Sequence, residues 1–172
     1  MRKFTDVLLP FAVAGAMLSP MLASAASPTE VLRIPKTPPG PVLDAVVLPP
    51  DAQIMLISGQ TPAPLDPAKT EGLDDFGDMK AQATSVFGKI KAILATQGYS
   101  MKDIVKLTVF VVSDPRSGGL ADFAGMNEVY RTFFGTADNP NLPARSSIQI
   151  AALGKPGYRI EIEAIAARSR SK

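Results

Sequence analysis

The 172-residue chain has no cysteine and no histidine. Zinc, copper and haem sites are built mainly from those two residues, so no transition-metal site is expected. A thiol nucleophile is excluded, as are a Ser-His-Asp triad and any imidazole acid or base. Chemistry must then come from arginine, lysine, carboxylates, hydroxyls, backbone groups and water. The lack of cysteine also fits an oxidising compartment. Charge of one sign is scarce: the formal net charge is +2, with no run of like charges. That gives little footing for a nucleic-acid surface. Beyond the N-terminus, no apolar run is long enough to span a bilayer. What the chain does have is a 46% hydrophobic and 20% charged composition, which suits one domain with a buried core.

The N-terminus has the layout of an address. Arg2 and Lys3 are followed by an apolar stretch from Val7 to Leu22 and then by Ala23-Ser24-Ala25. A basic start, a short apolar core and a small-x-small site read as a secretory signal peptide over residues 1–25, cleaved after Ala25. The alternative is an uncleaved anchor, against which Pro10, Pro20 and the short core argue. The expectation is an exported protein, periplasmic or secreted, near neutral in charge and free of the membrane after cleavage.

Residues 26–41 carry five prolines and read as an extended lead-in to a domain at 42–172. Residues 43–48 read as a first strand. Residues 53–58, QIMLIS, read as a second, buried on both faces. A loop with three prolines follows at 61–72. Over 74–97, the residues Met79, Ala83, Val86, Phe87, Ile90, Ile93 and Leu94 recur at spacings of three and four, which predicts a helix closed by Gly98. Residues 104–112, IVKLTVFVV, read as a central strand. A second helix is predicted from Asp122 to about Phe134, with Phe123, Met126, Val129, Tyr130 and Phe133 on its apolar side. Residues 145–152 and 158–166 read as strands of a terminal hairpin turning at 154–157. The order β-β-α-β-α-β-β predicts an α+β fold: one mixed sheet covered on one face by both helices. The alternating pattern at 143–166 leaves the other face partly polar, which suits a subunit interface or a barrel interior.

The terminal strands carry the polar constellation. Arg145, Ser147 and Gln149 alternate with Ile148 and Ile150, and Glu161 and Glu163 alternate with Ile160 and Ile162. A hairpin would place all five polar residues on one sheet face. Such a face can be a solvated surface with cross-strand ion pairs. It can also be a site in which Arg145 grips a carboxylate and a glutamate handles a water or a proton. Ser58-Gly59 ends a strand where backbone could approach a ligand, or simply turns the chain. Asn127, on the second helix, could bind substrate or cap a loop.

Six blocks in order carry a resemblance: LISGQ at 56–60, GKIKAIL at 88–94, DIVKLTVFV at 103–111, MNEVY at 126–130, PARSSIQIAAL at 143–153 and IEIEAIA at 160–166. Together they resemble the RidA/YjgF family of reactive-intermediate (enamine/imine) deaminases, from about residue 40 to 168. The resemblance implies a chorismate-mutase-like α+β fold and a homotrimer with sites between subunits. It implies hydrolysis of 2-imino acids to 2-keto acids and ammonia, with no cofactor and no metal. It assigns the substrate carboxylate to Arg145 and the water to Glu161, and it places Ser58, Gly59, Asn127 and Ser147 in the pocket. There are three departures, of which the first two bear on substrate range. Val42 follows Gly40-Pro41 where the family usually has tyrosine, Ser147 stands where a cysteine is common, and the loop from Ser113 to Ala121 is longer than usual. The competing readings are a trimer that binds small carboxylates without turnover, a ribonuclease, and a chaperone-like role.

Overall fold

The structure, a computed structural model, describes residues 27–170. The signal peptide expected at 1–25 lies outside the described residues. Six strands and two main helices follow in the order β1 (Leu32–Pro35), β2 (Leu43–Val47), β3 (Gln53–Gln60), α1 (Met79–Thr96), β4 (Ile104–Val112), α2 (Phe123–Phe133), β5 (Ala144–Ile150) and β6 (Ile160–Arg168). The sheet is mixed, in the order β1-β2-β5-β4-β6-β3. Both helices lie on one face, and α1 packs on α2, β6 and β3. The core between them is apolar: Val86, Phe87, Ile90, Leu94, Leu107, Val109, Val111, Met126, Ile160 and Ile162 are fully buried. Burial of that area drives the fold.

Three expectations are corrected. The 26–41 lead-in contains a strand, since β1 pairs antiparallel with β2. Its anchor is Arg33, whose guanidinium donates to the carbonyls of Ile104 (3.1 Å), Leu142 (2.6 Å) and Lys102 (3.0 Å). Charge-assisted bonds of this kind hold a short edge strand that has little core of its own. Second, β5 and β6 form no hairpin. Strand β4 lies between them, parallel to β5 and antiparallel to β6. The β4-α2-β5 unit is a helix-linked crossover, which joins parallel neighbours. Third, β3 is not buried on both faces. It is an edge strand paired only with β6, and Leu56 and Ile54 are 75% and 53% exposed on the uncovered face.

Helix α1 starts later than its periodicity suggests. Gly77 turns the backbone at φ +74°, and the Asp78 carboxylate then accepts from the amide of Ala81 at 2.8 Å, an N-terminal cap. Gly98, at φ +70°, follows its C-terminus. Gln82, fully buried in the first turn, donates to the carbonyls of Gly77 (3.1 Å) and Gly157 (3.0 Å) and accepts from the Arg159 amide (2.8 Å). One side chain thus satisfies the backbone that leads into β6. Replacing Gln82 with alanine is expected to lower unfolding free energy by roughly 3 kcal/mol, because buried backbone groups lose their partners. Urea denaturation measures this. A loss below about 1 kcal/mol would mean that these bonds contribute little.

Candidate active site

The strand register decides which side chains can meet. Leu107 of β4 aligns with Arg145 of β5 and with Ala164 of β6. Phe110 aligns with Ile148 and with Glu161. Aligned residues share a face, and neighbours along a strand alternate. Arg145, Ser147 and Gln149 therefore lie on the helix face with Leu107, Val109 and Val111, whereas Glu161 and Glu163 lie on the uncovered face. This corrects the expectation of one shared polar face. The physical reason is the intervening β4, which also holds β5 and β6 about 10 Å apart.

Arg145 sits where β5 begins, beneath α2. Its Nη2 donates to Asn127 Oδ1 at 2.8 Å and its Nη1 approaches Met126 Sδ at 3.9 Å. Its guanidinium carbon stands 4.4 Å above the centre of the Tyr130 ring. Among the described residues, no carboxylate of the chain pairs with it. Burial lowers the affinity of Arg145 for its proton, and the neighbouring Arg131 charge acts in the same direction. A guanidinium nevertheless stays charged at ordinary pH. The result is a partly desolvated cation whose fixed fork retains free donors, which is the arrangement that favours a carboxylate ligand. Ser147 lies on the same face, about 7 Å further along the strand, and is exposed.

Glu161 stands at a bulge of β3 on the sheet's other side. The pairing of β3 with β6 shifts register between Ile57 and Gln60, and Gly59 lies inside that shift. A Cβ at position 59 would overlap the Glu161 carboxylate, whose Cδ would be 2.7 Å away. Since φ at Gly59 is not positive, a side chain at this position would act by displacing the Glu161 carboxylate, not by straining the backbone. Gly59 thus opens the space that the Glu161 carboxylate occupies. Ser58 lines a hollow of about 280 Å³ on this open face with Leu56, Lys106, Thr108 and Glu163. The six expected residues therefore fall into two groups. Arg145 and Asn127 are bonded, with Ser147 on their face, while Glu161 and Gly59 are in contact, with Ser58 beside them.

Tyr130 was placed with the helix core by its spacing, and its contact with Arg145 was missed. The usable signal was its position three residues after Asn127, which puts both on one side of a helix. Its hydroxyl donates to the Pro41 carbonyl at 2.7 Å. Val42, in the place of the usual tyrosine, is partly buried against the core. The 113–121 loop lies at the far end of β4 from Arg145. There Arg116 pairs with Asp114 and Asp74 and donates to the Gly77 carbonyl.

These features define a class: α+β proteins with a six-stranded mixed sheet, two helices on one face and an unpaired arginine beneath the second. The sequence model of the family described as Endoribonuclease L-PSP matches residues 45–168. The chain belongs to this family, also known as RutC/RidA/YjgF. A RutC family protein of Haemophilus influenzae is 39% identical over 142 residues, covering 81% of this chain and 98% of the relative. The 2-iminobutanoate/2-iminopropanoate deaminase of Salmonella typhimurium is 41% identical over 129 residues, covering 75% and 88%. The structure of Escherichia coli TdcF with bound serine is similar at a TM-score of 0.51 and 35% identity, covering 81% of this chain and 94% of that one.

Burial pushes the Tyr130 phenol up to about 12, against an opposing pull from the Arg145 charge. A raised value means that the neutral phenol's contribution to stability is complete below pH 10.0 and lost as pH rises through about 12. Absorbance at 295 nm is expected to show a late tyrosine ionisation near pH 12 that Tyr130→Phe removes. A titration unchanged in that variant would refute this environment for Tyr130.

Proposed function

We propose that the protein hydrolyses 2-imino or enamino acids to 2-keto acids and ammonia, at sites completed between the subunits of a homotrimer. The observation that carries this reading is the split itself. The anion-binding group and the carboxylate lie on opposite faces of one sheet, so a single copy cannot bring them to one substrate. Two copies can, if the uncovered face of one meets the Arg145 end of the next. The exposed apolar side chains of that face, Leu56, Ile54 and Ile148, favour such a contact. Relatives that carry the deaminase name at about 40% identity support the chemistry.

In this reading, Arg145 and Asn127 hold the substrate carboxylate, and the protonated imine carbon is turned toward Glu161 of the neighbouring subunit. Glu161 accepts a proton from water as its oxygen bonds to that carbon. The same carboxyl returns the proton to nitrogen; the carbon–nitrogen bond then breaks as the new hydroxyl gives its proton to the regenerated carboxylate, so that ammonia leaves and the carbonyl forms. The imine carbon is already electrophilic, so orientation of one water supplies much of the acceleration. A ribonuclease reading has less behind it, because the chain has no histidine and little net charge. Export after removal of residues 1–25 is part of the proposal and rests on the sequence of that segment.

The test generates imino acids with an amino acid oxidase and traps the survivors with semicarbazide. Wild type is expected to suppress trapping. Arg145→Ala should lower kcat/KM by about a hundredfold, the cost of removing one partner of a desolvated charge pair. If wild type suppresses nothing across several side chains, the protein binds carboxylates without turning them over.

A second measurement addresses the split site. Arg145→Ala and Glu161→Gln subunits, each inactive alone, are unfolded and reassembled together in equal amounts. Random mixing in a closed ring should restore about a quarter of wild-type activity, the chance that an interface receives both intact groups. No recovery in a mixed oligomer would place both groups in one chain and overturn the arrangement.

A further inference from the structure

The surroundings of Arg145 contain more than a ligand-binding fork needs. Asn127 fixes the guanidinium at one nitrogen only, by a single 2.8 Å bond. A single bond allows rotation about its own axis, and the Met126 sulfur at 3.9 Å is too soft an acceptor to prevent it. The plane of the fork must therefore be set by something else. The Tyr130 ring, 4.4 Å below the guanidinium carbon, is the flat surface available. Stacking there is favoured by the ring quadrupole and by the weak hydration of arginine.

The ring is itself held on three sides. Its hydroxyl donates to the Pro41 carbonyl at 2.7 Å, Phe134 stacks behind it at 4.9 Å and 25°, and only 1% of Tyr130 is exposed. Pro41 is not an arbitrary anchor. Two residues on, the Leu43 amide donates to the Pro143 carbonyl at 3.1 Å, and Leu43 aligns with Ala144. The backbone that holds the hydroxyl is thus fastened to the start of the strand that carries Arg145. A core tyrosine needs a partner for its hydroxyl, but it does not need a cation on its face.

We infer that Tyr130 is a positioning residue for Arg145. Its ring sets the plane of the guanidinium, and the Pro41 carbonyl sets the ring. The inference rests on the reading of Arg145 as the carboxylate anchor and gives that anchor its orientation.

Two readouts test it on the purified protein, one of which needs no ligand. The first is the Arg145 Nε–H resonance, assigned by its loss in Arg145→Ala. In wild type the ring beneath should shift it upfield. Tyr130→Phe should keep that shift and Tyr130→Leu should abolish it. The second is imine turnover, together with binding of 2-oxobutanoate. Tyr130→Leu should raise KM and the 2-oxobutanoate Kd about tenfold while kcat changes less than about threefold, and Tyr130→Phe should raise KM about threefold. Phe76→Leu is the control. It removes a buried ring that packs on Tyr158 rather than on Tyr130, so it should lower thermal stability and leave KM unchanged. An Nε–H signal indifferent to Tyr130→Leu would overturn the proposal, as would a KM unaltered in both Tyr130 variants. If Tyr130→Leu fails to fold, Tyr130→Phe against Phe76→Leu decides by the same KM comparison. If wild type neither turns over imine nor binds 2-oxobutanoate, the deaminase reading fails, and the resonance alone decides the role of Tyr130.

Discussion

Strand β4 occupies the middle of the sheet, and the placement of the other functional groups depends on it. Its inward residues Leu107, Val109 and Val111 are fully buried under the helices, which fixes its register by burial alone. Slipping it by one residue would expose those three and bury Lys106 and Thr108. With β4 locked, β5 and β6 inherit their orientation on either side of it. Arg145 then faces the helices and Glu161 faces away. The separation of the two charged groups is thus a property of the core, and changes near either group cannot easily undo it.

The two groups of candidate residues are prepared by different means. Around Arg145, helix α2 supplies an oxygen, a sulfur and a ring but no negative charge. The cation is partly desolvated without being neutralised, a condition that costs stability unless an anion relieves it. Around Glu161 the preparation is steric. A strand irregularity and a residue without a side chain leave space for the carboxylate. One group invites an anion, and the other leaves room around a carboxylate. The uncovered face, on which Glu161 lies, carries both apolar and polar side chains, including the Lys106–Ser146 hydrogen bond of 2.9 Å. A mixed surface of this kind is typical of contacts between subunits.

Much of this was legible in the sequence, though unevenly. The stripe through Met79, Val86, Ile90 and Leu94 located α1, and the β-branched run at 104–112 located β4, because periodicity reports burial directly. Arg145 and Glu161 were legible as candidate residues, whereas the contacts of Arg145 with Asn127 and of Glu161 with Gly59 were not. Their relative placement was not legible. A four-residue turn between two strand-like runs looks like a hairpin, and local pattern cannot reveal that a third strand fills the space between them. The helix linking β4 to β5 was the available clue, since strand–helix–strand units join parallel neighbours. β1 was hidden by Pro35, Pro38, Pro39 and Pro41, although proline is admissible at a sheet edge. Tyr130 was hidden because its spacing served the core and the site at once.

The grip of Arg33 bears on how the chain can be processed. Its guanidinium spans the carbonyls of Lys102, Ile104 and Leu142, which lead into β4 and toward β5. Cleavage after Ala25, as the N-terminal segment suggests, would leave six residues ahead of Leu32. Peptidases that nibble at that tail would find a margin of a few residues before they reached anything structural. Trimming past Arg33 would release three carbonyls at the entrance to the strands that carry the core and Arg145. The fold therefore sets a lower bound on its own mature length, and tolerance to proteolysis should end abruptly between Val31 and Arg33.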